Sequence, residues 1–140
     1  IEPAPPRVHF TGYVHDDQLP SLYSGAVGLV YPSLYEGFGL PVLEAMESGT
    51  PVIASSAASI PEVGGDACLY FNPYSVEDLI DKMAGLLTHD RMRNEIIEKG
   101  YGQNKKFSWE KTAEETLNVY KRTLLLRQVG IKIAHSLPES

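Results

Sequence analysis

The sequence predicts an α/β fold in which a parallel sheet carries helices on both faces. Three observations predict it. Apolar runs of strand length alternate with stretches of helical periodicity along the 140 residues. Those runs, such as "AVGLVYPS" (26–33) and "TPVIASS" (50–56), are continuously apolar, as strands covered on both faces are. A glycine-rich elbow, "YEGFGLPVLEAM" (35–46), joins the end of one such run to a helix, which is where sheets of this kind bind ligands.

The elements follow in order. Residues 1–7 are a proline-rich lead. "VHFTG" (8–12) reads as a short strand stopped by a glycine, and "DDQLPSLYSGA" (16–26) as a short helix with Leu19, Leu22 and Tyr23 on one side, capped by Asp16 or Asp17. After the strand over 26–33, "PVLEAMESG" (41–49) is a helix, Pro41 suiting its first turn and Gly49 its end. A buried strand over 50–56 and a shorter one, "CLYFNP" (68–73), come next. Ser75 caps a helix striped by Val76, Leu79, Ile80, Met83 and Leu87. Asp90 caps a second that runs to about Gly100 or Gly102. Ser108 caps a third with Trp109, Ala113, Leu117, Tyr120 and Leu124 on one face, Trp109 serving as a packing anchor.

Composition narrows the function classes. At this length a single domain that buries roughly two thirds of its unfolded surface is expected. Hydrophobic content of 43% and charged content of 21% are those of a globular domain, and no apolar run approaches the ~20 residues of a membrane span. The single cysteine, Cys68, rules out an internal disulfide and reads as a small buried apolar residue, which suits a reducing, cytoplasmic setting. "IEPAPPR" has no initiator Met, no basic n-region and no apolar h-region, so it reads as the edge of a piece cut from something longer rather than as a secretory signal. The net charge of −6 is split: residues 1–90 carry twelve acidic and two basic side chains, residues 91–140 six acidic and ten basic. The acidic part excludes a nucleic-acid surface there. The basic part interleaves with Glu at helical spacing and reads first as a solvated face, with peripheral association with anionic lipid headgroups, or an acidic partner, as the minority reading.

The elbow carries the chemistry. Gly37 and Gly39 can take backbone angles that other residues resist and let a ligand approach the main chain. The helix that begins near Leu40 offers unpaired N–H groups and roughly half a positive charge at its mouth, together an anion site. Glu44 lies one turn in, and helical side chains lean toward the N-terminus, so its carboxylate reaches the same rim. Glu36 stands on the strand-end loop across the elbow. Carboxylates accept from neighbouring hydroxyls of a ribose or hexose, so a phosphate site between two of them describes a nucleotide sugar. On spacing alone the same residues also fit a plain strand-to-helix connection, with Glu36 in a turn and Glu44 favouring the helix N-terminus. A dinucleotide fingerprint fits less well, because it wants a third glycine where Val42 stands. In a glycosidase-like pair, nothing marks either carboxylate as the acid.

The chain from "VHFTGYV" through "LPSLYSGAVGLVYPSLYEGFGLPVLEAMESGTPVIASSAASIPEVGGDACLYFNP" to "FSWEKTAEETLNVY", about residues 8–122, resembles the retaining glycosyltransferases of the two-Rossmann-domain (GT-B) architecture. Within them it is similar to the large group with a "Glu, seven residues, Glu" motif. The resemblance implies a partial Rossmann-like, donor-binding domain over residues 8–123, the latter part of a GT-B C-terminal domain, followed by a tail over 124–140 that crosses toward an N-terminal domain. It implies that Glu36, the catalytic assignment, contacts donor-sugar hydroxyls, and that Glu44 contacts the ribose. Gly37 and the backbone of Phe38, Gly39 and Leu40 face the sugar and diphosphate, while Tyr13, Val14 and His15 border the base. It also implies transfer of a hexose from a GDP- or UDP-linked donor to a glycan or lipid-linked acceptor, with no cofactor. "SIPEVGGDA" (59–67) leans toward mannose and GDP. No metal is expected, since "HDDQ" (15–18) lacks Asp-x-Asp spacing and His9, His89 and His135 show no ligand spacing. The chain departs from the group's common "EAMACGTPV" at Glu47 and Ser48, which adds negative charge near the ribose position.

No Lys or Arg stands between Arg7 and Lys82, so the elbow has no cationic side chain of its own. The resemblance assigns that charge to an Arg and a Lys in the first half of the same domain. It also makes the strand over 8–12 third and that over 26–33 fourth in the order 3-2-1-4-5-6, with the two strands that separate them missing. Either 8–12 re-pairs beside 26–33, or another copy or the missing N-terminal portion covers the open edge. The expected activity is that of a donor-binding part, inactive by itself; the alternative is a non-catalytic interaction module on a nucleotide fold.

Overall fold

The structure, a computed structural model, describes residues 7–134 and the side chains of residues 7–125. The chain divides into two units, Ile1–Asn104 and Lys105–Ser140.

In the first unit the order is α1 (Leu19–Ser24), β1 (Leu29–Tyr31), α2 (Leu40–Glu47), β2 (Val52–Ser55), α3 (Ile60–Gly64), β3 (Cys68–Phe71), α4 (Val76–Thr88) and α5 (Asp90–Asn104). The three strands form one parallel sheet in the order β1-β2-β3, with Val30 opposite Ile53 and Ile53 opposite Leu69. The central strand β2 is buried along its whole length, which is why its sequence is apolar without alternation. The fold is therefore the α/β arrangement expected, with three parallel strands and flanking helices.

Each sheet face is covered. On one, Ile53 and Phe71 meet Leu86 of α4, with Val30, Leu69 and Leu79 packed around them. On the other, α3 lies so close to β3 that a Cβ on Gly64 would stand 2.6 Å from Cys68 Sγ. Helix α2 buries Val42, Leu43, Ala45 and Met46. With only eight residues it has little intrinsic stability, so this packing holds it, at about 1.5–3 kcal/mol for each large side chain buried. Met46 receives α5 at Gly100, where an added Cβ would lie 3.2 Å from its Cγ.

The structure differs from the sequence-based expectation at several elements. Residues 8–12 form no strand, and Phe10 is 83% exposed. A strand needs a ladder partner, and 8–12 does not pair beside β1, which is an edge strand. Gln18, not Asp16 or Asp17, stands at the N-cap of α1, in the helical region and with no side-chain cap, because a turn from Gln18 N–H to the His15 carbonyl already begins there. Helix α5 starts at Asp90 itself and passes through Gly100 and Gly102 to Asn104. Gly100 is thus a contact residue against Met46 and not a stop. Of the stripe assigned to α4, Leu79 faces the sheet, whereas Val76, Ile80 and Leu87 face outward and Leu86 takes the inner position. The short helix α3 was not anticipated; five residues are too few to show a period.

Both serine caps form as expected: Ser75 Oγ accepts from Asp78 N–H, and Ser108 Oγ from Lys111 N–H, each at 3.1 Å. The second unit holds α6 (Trp109–Ala134), in which Trp109 is 75% exposed rather than packed. His135 lies outside the described residues. No helix among the described residues is long and apolar enough to cross a membrane.

Candidate functional site

The elbow follows the carboxyl end of β1. Gly39 is the N-cap of α2 and adopts a left-handed conformation, φ 108° and ψ 48°, that turns the loop into the helix. Its carbonyl accepts from Val42 N–H at 3.0 Å. No side chain caps this mouth, and Pro41 in the first turn brings no N–H. Gly37 uses no left-handed angle; its contribution is open space, since nothing lies within 4 Å of where its Cβ would be.

The loop is fixed from beneath. Ser59, at the N-cap of α3 on the loop that follows β2, donates its hydroxyl to the carbonyls of Glu36 (2.8 Å) and Phe38 (3.3 Å). The neighbouring Ala58 has φ 51°, a positive value that is uncommon outside glycine and marks a strained connection beside the elbow. Two strand-end loops are thereby joined at one rim.

Both carboxylates singled out from the sequence are held by hydroxyls. Ser33 Oγ donates to Glu36 Oε1 at 2.6 Å. That bond foremost, and the nearby Tyr31 hydroxyl second, hold Glu36 below the usual carboxylate range and keep it ionised. Tyr23 Oη, from α1, donates to Glu44 Oε2 at 3.1 Å. Partial burial first, and the Glu44 carboxylate second, push the Tyr23 phenol up to about 12. Tyr31 is raised by burial first and by the neighbouring Glu36 carboxylate, and it feels the charge of Glu44 as well. Both glutamates therefore lie within electrostatic reach of one tyrosine hydroxyl.

Glu44 also borders an open groove of about 730 Å³ between α1 and α2, walled by Asp16, Leu19, Pro20, Tyr23 and Glu47 among others. Glu36 is not part of that wall. Tyr13 and His15 lie just before α1 and stack edge to face on one another, ring centroids 5.1 Å apart, with Tyr13 80% exposed and Val14 half-buried. Among the described residues no group of three or more His, Cys, Asp or Glu side chains gathers as a metal cluster.

Residues 3–103 match the family model described as "Glycosyl transferases group 1". The chain belongs to this glycosyl transferase family. The family's sequence relatives include the O-antigen chain mannosyltransferase B of Escherichia coli, 46% identical over 114 residues, which cover 81% of this chain and 30% of that protein. Another, the MMP alpha-(1->4)-mannosyltransferase of Mycolicibacterium hassiacum, is 36% identical over 121 residues, 84% of this chain and 29% of that protein. Among solved structures, a sucrose-phosphate synthase from Thermosynechococcus elongatus superposes with a TM-score of 0.76 at 29% identity, covering 86% of this chain and 31% of that one. The chain thus spans less than a third of the length of these glycosyl transferases. The GT-B resemblance holds for fold and family.

Sequence reasoning placed Glu36, Gly37, Phe38, Gly39, Leu40 and Glu44 around one elbow, and the structure brings them together. It missed Ser33, Tyr31, Tyr23 and Ser59. Ser33 stands three residues before Glu36 and a loop-turn pattern would have found it; Tyr23 and Ser59 reach their partners across 21 and 23 residues.

Proposed function

We propose that the chain is the donor-binding part of a retaining glycosyltransferase that moves a hexose from a nucleotide diphosphate to a glycan or lipid-linked acceptor. Mannose, carried by GDP, is the sugar we assign, supported by relatives named as mannosyltransferases. The single observation that carries the reading is the uncapped mouth of α2 lying between Glu36, held ionised, and Glu44. Amide hydrogens there take the diphosphate, Glu36 takes sugar hydroxyls, and Glu44 takes the ribose.

In the reaction the bond from the anomeric carbon to the diphosphate oxygen breaks, a bond to the acceptor oxygen forms on the same face, and the acceptor proton passes to the leaving diphosphate. No protein nucleophile is required. An ionised Glu36 suits this chemistry, since it can accept hydroxyls and stabilise positive charge developing on the sugar, but cannot give a proton. Tyr13, Val14 and His15 border the base. No metal or cofactor takes part, and the protein acts in the cytoplasm as part of a longer chain; residues 1–140 alone are inactive, because residues 8–81, which include the elbow, carry no cationic side chain to hold the diphosphate.

The test is calorimetric titration of this chain, and of the longer protein that carries it, with GDP-mannose and a panel of UDP-sugars. The longer protein is expected to bind GDP-mannose and to lose that binding with Glu36→Ala. Binding of no nucleotide sugar by either would favour a non-catalytic module.

A further inference from the structure

We propose that Tyr23 and Tyr31 are positioning residues of the donor site, Tyr23 holding Glu44 by a hydrogen bond and Tyr31 setting its ring beneath the elbow beside Glu36, so that both carboxylates are ready to receive ligand hydroxyls. The proposal rests on the nucleotide-sugar reading of the elbow. Glu44 is exposed on the surface of α2, where a glutamate without a partner spreads over many rotamers. Here Tyr23 Oη fixes one of its oxygens, Oε2, at 3.1 Å. Tyr23 is in turn fixed to the chain beyond α2, because the buried Thr50 donates its hydroxyl to the Tyr23 carbonyl at 2.6 Å. The bond therefore ties α1 to the functional face of α2 and leaves Oε1 of Glu44 for a ligand.

Tyr31 ends β1 and is in register with Ala54 of the buried central strand, so the sheet anchors its backbone. Its ring carbon Cε1 lies 4.0 Å from where a Cβ on Gly39 would stand, which places the ring directly under the elbow. The hydroxyl lies close enough to Glu36 for each to shift the other's pKa, and it feels the charge of Glu44 as well. A carboxylate has about four acceptor sites, so Glu36, with Ser33 donating to Oε1, keeps capacity for sugar hydroxyls.

The two tyrosines have separable effects, because ribose is present in free nucleotide and the hexose is not. In the longer protein that carries this chain, GDP and GDP-mannose are titrated into the wild type, Tyr23→Phe and Tyr31→Phe, with melting temperatures recorded for each. Tyr23→Phe is expected to weaken GDP and GDP-mannose alike, by about tenfold, the effect of losing a hydrogen bond to a charged group. Tyr31→Phe is expected to weaken GDP-mannose by about tenfold and to leave GDP unchanged. A merely structural role would lower both affinities in step with the melting temperature, and that outcome, or unchanged affinities in both variants, overturns the proposal while the donor reading stands. A wild type that binds neither probe overturns the donor reading itself.

Discussion

Replacing Gly39 with alanine separates backbone geometry from crowding at the elbow. A Cβ at this position would lie 3.9 Å from Val42 Cγ2 and 4.0 Å from Tyr31 Cε1, ordinary contact distances, so the methyl group fits. The backbone is what resists: φ 108° and ψ 48° lie in the left-handed region, which costs a residue with a Cβ about 1–3 kcal/mol. Reduced freedom of the unfolded chain returns about 0.4–1 kcal/mol. The net expectation is a loss of about 1–2 kcal/mol, or roughly 4–8 °C in melting temperature at about 4 °C per kcal/mol for a unit of this size. Gly37→Ala is the internal control. Its φ is outside the left-handed region and its Cβ would meet nothing within 4 Å, so its stability should change by no more than about 1 kcal/mol, upward if at all. Urea unfolding followed by circular dichroism measures both, with the midpoint moving and the slope constant. Equal midpoint shifts in the two variants, or none for Gly39→Ala, would refute the assignment of strain to Gly39 alone.

Three further outcomes are expected. Hydroxyl donation from Ser33 foremost, with the nearby Tyr31 hydroxyl second, keeps Glu36 below the ordinary carboxylate value, so its contribution to stability is present above about pH 4.3 and is lost as pH falls through its own lower midpoint. Ser33→Ala should raise that midpoint in a carboxyl-carbon NMR titration, and an unmoved midpoint would remove Ser33 as the cause. The Cys68 thiol, pushed up to about 12 by burial, should resist iodoacetamide in the folded chain and react readily in denaturant; rapid labelling of the folded chain would contradict its placement. Gly102→Ala, with nothing within 4 Å, should raise stability by about 0.5–1 kcal/mol, and Gly100→Ala, which gains the same helix propensity but crowds Met46, should fall about 1–3 kcal/mol below it; the reverse order in a melting experiment would refute the α2–α5 contact.

What the sequence made legible follows from locality. The three strands, the elbow, and the caps at Ser75 and Ser108 depend on residues a few positions apart, and each appears where its pattern lies. The segment 8–12 has strand-like residues but no partner, and no local pattern reports whether a partner exists. Gly100 looks like a helix stop to any local rule; only the approach of Met46 from another helix gives it a different role. The same limit applied to the site. The two glutamates could be read because both flank one turn, while Tyr23 and Ser59, which hold them and the loop, arrive from elements far along the chain.

The charges around the elbow divide the work of donor binding. Glu36 is ionised, Glu44 is exposed beside Asp16 and Glu47 at the α1–α2 groove, and no cationic side chain occurs from residue 8 to residue 81. A helix mouth attracts an anion by only about 0.3–1 kcal/mol at an exposed site, and the Glu36 and Glu44 carboxylates on either side of it in the chain add charge of the opposing sign. On the proposed reading, then, the elbow cannot supply most of the grip on a diphosphate. Its carboxylates and open backbone are suited to neutral hydroxyls, whose recognition needs acceptors and not cations. Residues 8–81 would thus decide which sugar is accepted, and cations outside that stretch would decide how tightly the nucleotide is held. If so, arginine or lysine supplied from the preceding half of the domain should raise affinity for GDP and GDP-mannose by the same factor, leaving the preference between sugars to Glu36 and the elbow.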